Sequence, residues 1–131
     1  MTTRLVNPPE LAQPHGYSHA AVGSGRVVAL AGQIGWDAGG KLVSDEIGAQ
    51  FAQALSNLVV VLRAAGGQPT DLLSLRIYVT DKQLYNAALK PIGAAYRWHL
   101  GKHFPAMALV QVADLLEPGA LIEIEGLAAI E

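Results

Sequence analysis

Apolar residues in the first third of the chain follow the two-residue period of β-strands. The segments SHAAV and RVVALAGQIG flank the short stretch GSG, where Gly23 and Gly25 permit the backbone of a tight turn. The pattern therefore predicts a β-hairpin about GSG. A second turn, WDAGGKL, then leads into a third, short strand.

The apolar spacing changes to that of a helix from about residue 45 to residue 65. One stripe of this segment recurs every three or four positions and consists of Ile47, Phe51, Leu55, Leu58 and Leu62. Ser44 or Asp45 is the expected N-cap, and Gly66-Gly67 is the expected end. This segment is predicted to be the principal helix of the domain.

Strand and helix patterns alternate through the rest of the chain. Residues 72–80 alternate as a strand, and residues 84–100 return to helical spacing. Pro91 lacks the amide donor that the middle of a helix needs, so this second helix is expected to kink or restart there. Two final strands are predicted at about 106–113 and 120–130.

The predicted order, β-β-β-α-β-α-β-β, indicates a single α+β domain over residues 1–131, with a mixed sheet and two helices packed on one face. The residues expected beneath the helices are Ile77, Val79, Ala108, Val110, Val112, Ile122 and Ile124, with Leu73 and Leu75 preceding them on the same face. The opposite face would carry Ser74, Arg76, Tyr78, Met107, Leu109, Gln111, Glu123 and Glu125. That face is too apolar for water and too polar for a dry core, which favours a subunit interface with clefts over a plain solvated surface.

Composition adds three constraints. Of 131 residues, 51% are hydrophobic and only 15% charged, a surplus of apolar surface that indicates an oligomer. The net charge of −2 gives no basic field for nucleic acid or anionic lipid. The absence of cysteine excludes disulfides, a thiolate nucleophile and cysteine-ligated metals. No signal-peptide core is evident and no apolar run approaches a membrane span, so a cytoplasmic location is expected.

Two carboxylates stand out because they lie inside an apolar strand. Glu123 and Glu125 are two residues apart and therefore point to the same side of the sheet. If one is partly buried, it can hold and activate a water molecule; otherwise both are ordinary carboxylates of an exposed face. Their spacing alone does not distinguish a water-activating carboxylate from an ordinary surface carboxylate.

The four histidines form two pairs with i,i+4 spacing, which on a helix can face one metal ion. His15 and His19 lie in a loop-to-strand segment, and Gly101 interrupts the pair His99 and His103 near a helix end. Neither pair is followed by the glutamate of a zinc-protease motif. No metal site is therefore predicted.

Five segments, in this order, resemble the RidA/YjgF family of reactive-intermediate deaminases: GYSHAA, LAGQIG, FAQALSNLVVVLRAAGG, RIYVTD and HFPAMALVQVADLLEPGALIEIEGLAAI. The resemblance runs from about residue 16 to residue 130. It implies a chorismate mutase-like fold, a homotrimer with a central barrel, and a cleft at each subunit interface. It also implies that water, without any cofactor, hydrolyses an enamine or imine to a 2-keto acid and ammonia.

The resemblance assigns roles to four residues of this chain. Glu123 corresponds to the glutamate that orients the water, and Tyr17 to the tyrosine of the cleft. Gly32 falls in the family's S-G-Q-I segment, where the backbone meets the ligand, and Ala31 stands where the family has serine. It assigns no role to Glu125.

The main departure from the family lies at its substrate-binding arginine. Active members read P-A-R, whereas this chain has Met107 after Pro105-Ala106. A thioether offers neither the charge nor the paired donors with which a guanidinium binds a carboxylate. Met107 and Leu109 are therefore expected substrate contacts in a more apolar cleft, and Arg76 is a candidate replacement for the missing cation, with an ion pair to a nearby glutamate as the alternative.

Three functions follow from these observations. The first is an enamine or imine hydrolase that uses Glu123 and accepts substrates less dependent on a carboxylate clamp. The second is a trimeric small-molecule-binding protein without catalysis. The third is an interaction or chaperone-like scaffold, which the retained Tyr17 and Glu123 disfavour.

Overall fold

The computed structural model describes residues 3–131 and shows an α+β fold, as predicted. The strands are β1 (Arg4–Val6), β2 (Ala20–Val22), β3 (Arg26–Gln33), β4 (Leu72–Val79), β5 (Ala106–Gln111) and β6 (Ile122–Ile130). The helices are α1 (Ile47–Ala64), α2 (Lys82–Ala87) and α3 (Leu89–Leu100), and a 3₁₀ turn spans Pro69–Asp71. The main sheet has the order β3-β6-β4-β5, with β5 parallel to β4 and the other pairs antiparallel.

The helices pack on one face of the main sheet, which we call the covered face; the other is the open face. Helix α1 lies against β3 and β6 and contacts α3. Its core residues Leu55 and Leu58 and the β6 residues Ile122 and Ile124 are all 0% exposed. Burying each such side chain contributes roughly 1.5–3 kcal/mol, so this layer is the main source of stability.

Helix α1 has the length and apolar composition of a membrane span, contrary to the expectation that no segment comes near one. Length and composition alone do not distinguish such a span from a core helix. Eight α1 residues are buried within the domain, among them Phe51 and Leu62. The helix is apolar because it supplies the core.

The predicted hairpin about GSG is wrong. Strand β2 pairs with β1, in the register Leu5↔Ala21, and β3 pairs with β6 instead. The three-residue β1 was not anticipated because it is too short to show a period. The third strand predicted after WDAGGKL is also wrong, since only an isolated bridge, Trp36↔Leu42, forms there.

The predicted end of α1 is confirmed, but its predicted cap is not. Gly66 adopts a φ of +94° and its amide donates to the Arg63 carbonyl, closing the last turn. At the other end, Glu46 occupies the N-cap position without a side-chain capping bond. Ser44 instead accepts the Glu46 amide at 3.0 Å, one step before the helix begins.

The restart of the second helix is confirmed. The chain breaks between α2 and α3 at Ala88, where φ is −110° and ψ is 19°. Pro91 then lies in the first turn of α3, where its missing amide donor costs nothing. Asp81 caps α2 by accepting the amides of Gln83 and Leu84.

The predicted faces of the β5 residues are wrong and must be exchanged. Met107 lies opposite Leu75, and Leu109 opposite Ile77, so both point to the covered face with those core residues. Ala108 and Val110 are predicted beneath the helices but belong to the open face. Gln111 is predicted on the open face but pairs with Val79 of the covered face. Val112 lies beyond the end of β5. The run AMALV is apolar at every position, so its pattern does not reveal which residues face inward.

Leu73 also lies opposite to its predicted side. The β4–β6 register shifts between Leu72 and Ser74, which is a β-bulge or local irregularity. Leu72 takes the core position at 0% exposed, and Leu73 packs against the segment at Gly23 instead. The bulge therefore ends the strict alternation of β4 near its start.

Candidate functional site

A cavity of about 530 Å³ lies between helices α2 and α3 and the β5 edge of the sheet. Its walls are largely apolar and include Phe51, Ile77, Ile92, Phe104, Met107 and Leu109. Five side chains with polar groups also line it: His15, Tyr17, Tyr85, Tyr96 and Arg97. Its size and lining are those of a small-molecule site with few polar contacts.

A loop before β2 holds Tyr17 at the mouth of this cavity. The amide of Ser18 donates to the Pro105 carbonyl at 3.0 Å, and its hydroxyl donates to the Phe104 carbonyl at 2.6 Å. Ser18 is buried, so these bonds fix the loop against the start of β5. Tyr17 itself packs edge-on against His19. The serine thus positions the tyrosine.

The two tyrosines of the helical wall differ in their hydrogen bonds. Tyr96 stacks on Phe104 and donates its hydroxyl to the His103 carbonyl at 2.7 Å. Burial raises the pKa of Tyr96, and that of Tyr85 as well. Within residues 3–131 the Tyr85 hydroxyl makes no hydrogen bond, so it is a neutral donor available to a ligand.

Glu123 lies on the open face, beside Gly32. A Cβ on Gly32 would lie 2.9 Å from Cδ of Glu123 and closer still to Oε2, so only glycine leaves the carboxylate its place. The β3–β6 register shifts between Leu30 and Gln33, which brings this stretch of backbone under the glutamate. Glu123 is half-buried, and Ala31 beside it is exposed.

Glu125 also lies on the open face and has its own partners. Tyr78 donates its hydroxyl to Glu125 at 2.8 Å, and Nη1 of Arg76 lies 3.7 Å from the same oxygen. The hydrogen bond to Glu125 is the main reason that the pKa of Tyr78 is raised. Glu125 thus contacts both Arg76 and Tyr78, and the ion pair to a nearby glutamate, the alternative role of Arg76, is confirmed.

The candidate residues fall into two groups on opposite faces of the sheet. Tyr17, Met107 and Leu109 meet at the cavity, on the covered face. Glu123 lies opposite Tyr78 in the register and therefore projects from the open face with Arg76. A single chain consequently does not bring Glu123 to the cavity, and Arg76 is not part of the cavity wall.

Sequence patterns missed His15 and Arg97 as cavity residues. Both are exposed; His15 lies in the loop before β2 and Arg97 on α3, and only the packing of these two segments brings them to the cavity. Two other histidines are engaged by carbonyls: Nε2 of His19 lies 2.8 Å from the Ala12 oxygen, and Nε2 of His103 lies 2.9 Å from the Leu72 oxygen. Over residues 3–131, no three potential metal ligands cluster together.

The mixed sheet with helices on one face is the chorismate mutase-like fold of the YjgF and Rid proteins that this structure matches. The crystal structure of the Yersinia pestis Rid-family protein YyfB, of unknown function, superposes with a TM-score of 0.86 at 39% identity, covering 99% of this chain and 100% of that one. The Escherichia coli YjgF gene product gives a TM-score of 0.71 at 28% identity, covering 95% and 94%.

Sequence relatives agree with this fold. The family described as endoribonuclease L-PSP matches residues 9–130. A human 2-iminobutanoate/2-iminopropanoate deaminase is 35% identical over 104 residues, 79% of this chain and 72% of that protein. The protein of the same name from Dermatophagoides farinae is 30% identical over 129 residues, 98% and 97% of the two chains. The chain belongs to the RidA/YjgF family.

Proposed function

We propose that this protein is a cofactor-independent enamine and imine deaminase of the cytoplasm, acting on substrates with apolar side chains. Water adds to the imine carbon, R–C(=NH)–COO⁻, and the carbon–nitrogen bond then breaks. The products are the 2-keto acid, R–CO–COO⁻, and ammonia, which carries away the protons of the attacking water. An enamine enters the same route after tautomerising to the imine.

The apolar cavity carries this proposal. Its floor includes Met107 and Leu109, so an aliphatic or aromatic side chain is desolvated there without leaving a polar group unpaired. Tyr17 lies at its mouth and offers a hydroxyl to the reacting end of the substrate. The relatives named as deaminases support the reaction type.

Glu123 is the proposed base that orients the water. Its carboxylate is half-buried next to Gly32, with Ala31 in the same segment, which gives a ligand access to backbone as well as to the acid. Because Glu123 and Met107 project from opposite faces, the active site requires a second copy of the chain. We propose a homotrimer in which the open faces line a central barrel and each cavity meets a neighbour's open-face edge.

Met107 also favours a second candidate, a trimeric small-molecule-binding protein without catalysis. Replacing an arginine by methionine removes the charged contact that holds a substrate carboxylate during the reaction. The cavity would then bind an apolar ligand that the protein does not transform.

Ammonia release distinguishes the two candidates. Imines are generated in situ by an added amino-acid oxidase, with dioxygen as oxidant, from leucine, methionine and phenylalanine, and from aspartate and glutamate for comparison. The deaminase should accelerate hydrolysis of the apolar imines above the uncatalysed rate. Glu123→Gln should lower that rate by about a hundredfold or more, and the exposed, charge-matched Glu117→Gln should leave it unchanged. Met107→Arg should raise the relative rate with acidic or short-chain imines.

No acceleration with any imine would overturn the deaminase, as would full activity of Glu123→Gln. Tight binding of the corresponding 2-keto acids by an inactive natural protein would identify the second candidate. An interaction or chaperone-like scaffold would require neither ligand binding nor turnover at the cavity.

A further inference from the structure

Arg97 is a cation at the rim of the cavity that no sequence pattern identified. We propose that Arg97 binds the substrate carboxylate in place of the missing family arginine, which makes the substrate a monocarboxylate with an apolar side chain. This inference rests on the proposed function, because it concerns the same cavity. It places the anionic end of the ligand at the helical rim and the apolar end toward the floor.

The geometry of helix α3 directs Arg97 over the cavity. Arg97 and Gly93 are one helical turn apart and therefore lie on the same side of α3. A Cβ on Gly93 would lie 3.3 Å from Nη1 of Arg97, so the guanidinium folds back over the glycine. Both residues line the cavity. Glycine in a helix interior is normally destabilising relative to alanine, and here it leaves room for the guanidinium.

Arg97 is available to a ligand. Among the described residues, no carboxylate lies within ion-pair distance of its guanidinium, whereas Arg76 already has Glu125. The cavity wall contains no aspartate or glutamate, and His15 is its other basic side chain. The charge of the site therefore favours an anion at the rim.

A guanidinium suits a carboxylate because it donates two parallel, charge-assisted hydrogen bonds. The Tyr85 hydroxyl, which makes no hydrogen bond within residues 3–131, lines the same cavity and offers a further donor. Toward the floor, Ile77 and Met107 provide only apolar contacts. The site thus separates an anion-binding rim from an apolar interior, as a 2-keto acid with a branched or aromatic side chain requires.

Binding of 4-methyl-2-oxopentanoate, the keto acid derived from leucine, tests this assignment by calorimetric titration. Arg97→Met should weaken binding on the order of tenfold to hundredfold, and Arg97→Lys should recover part of the loss because it keeps the charge but not the paired donors. Arg63→Met is the matched control: Arg63 is also an exposed arginine in the last turn of a helix, away from the cavity. It should bind like the natural protein.

The uncharged amide of the same keto acid provides a second measurement that does not depend on any variant. It should bind the natural protein about as weakly as the acid binds Arg97→Met. Equal affinity of acid and amide would overturn the assignment, and so would undiminished binding by Arg97→Met. Lack of binding by the natural protein would also overturn it. Circular dichroism of each variant establishes that the fold is retained.

Failure of this assignment and failure of the deaminase proposal give different results. Arg97-dependent binding without ammonia release would keep the carboxylate site and reject deamination. Ammonia release that is unchanged in Arg97→Met would keep deamination and reject the site. If both hold, Arg97→Met should raise KM for leucine-derived imine far more than it lowers kcat, because the carboxylate contact is made equally in ground and transition states.

Discussion

The two faces of the main sheet are built from the same strands but serve different purposes. On the covered face, Ile77 is 2% exposed and Ile124 is 0% exposed, beneath a helical layer made largely of apolar side chains. On the open face, Arg76 and Tyr78 converge on Glu125 through a charged pair and a hydrogen bond. One face holds the fold together by excluding water, and the other keeps polar groups ordered at its surface.

This difference separates the candidate site into halves. The cavity uses the covered face where helix α3 leaves β5 incompletely covered, so Met107 lines a hollow rather than a filled core. Glu123 lies on the open face, where it remains accessible. Side chains alternate along β6, so Glu123 and Glu125 project from the open face while Ile122 and Ile124 stay buried on the covered face. The open-face half of the candidate site can therefore change without disturbing the buried layer.

The largest expected effect comes from creating a cavity on the covered face. Ile124→Ala removes a wholly buried side chain from the centre of β6. It should lower the free energy of unfolding by about 2–5 kcal/mol. Urea denaturation at a fixed protein concentration measures the change, because assembly would make the midpoint depend on concentration.

Tyr78→Phe is the control from the open face. Tyr78 pairs with the residue next to Ile124 in the register, but its hydroxyl lies at the surface and bonds only to Glu125. The midpoint should move far less than with Ile124→Ala. A greater loss of stability from Tyr78→Phe would show that the open-face network, rather than the covered layer, holds the sheet together.

Gly32→Ala should affect chemistry with little effect on stability. Gly32 does not have a positive φ, so its backbone accepts alanine, but the new methyl group would displace the Glu123 carboxylate. If Glu123 orients the water, turnover of apolar imines should fall on the order of a hundredfold, with the thermal midpoint almost unchanged. Gly39→Ala, in an exposed turn without positive φ, provides the control and should retain full turnover.

Undiminished turnover by Gly32→Ala would mean that Glu123 does not need its present position, and the open face would lose its catalytic role. A large loss of stability would instead show that Gly32 serves the fold. Measuring both quantities on the same preparation separates these outcomes.

Sequence periodicity predicted the framework of this fold because long amphipathic segments carry a strong signal. The stripe of α1, the restart near Pro91 and the end at Gly66 all depend on local rules, and the structure confirms them. The partner of β2 could not be predicted, because pairing depends on β1, a strand of three residues. The face of β5 was also beyond local rules, since every residue of its apolar run could face inward.

The candidate site shows the same division. Tyr17, Met107 and Glu123 were found from family resemblance, yet nothing in the sequence showed that they lie on opposite faces. Arg97 was missed because it lies in the last turn of a helix, where a basic residue is ordinary. Only the three-dimensional path of α3 brings it over the cavity.

The smallest expected effect concerns two tyrosines, Tyr78 and Tyr96. The pKa of each is raised, but for a different reason. For Tyr78, on the open face, the hydrogen bond to Glu125 is the main cause; for Tyr96, on the buried side of helix α3, burial is the main cause. Glu125→Gln should therefore lower the pKa of Tyr78 toward its ordinary value of 10.0 and leave that of Tyr96 raised. Absorbance of tyrosinate during alkaline titration measures both, with Tyr78→Phe identifying the affected step.

The same shifts fix the sign of the alkaline stability change. A tyrosine whose pKa is higher in the folded protein than in the unfolded chain holds its proton more tightly when folded. Its contribution to stability is complete below pH 10.0, the ordinary tyrosine value, and is lost as the pH rises through the folded pKa. Glu125→Gln should reduce the contribution of Tyr78 to the free energy of unfolding. Added salt should weaken the charge-dependent portion of the Tyr78 contribution and leave the Tyr96 contribution in place. An unchanged titration in Glu125→Gln would show that desolvation governs both tyrosines, and the open face would then be as dry as the covered one.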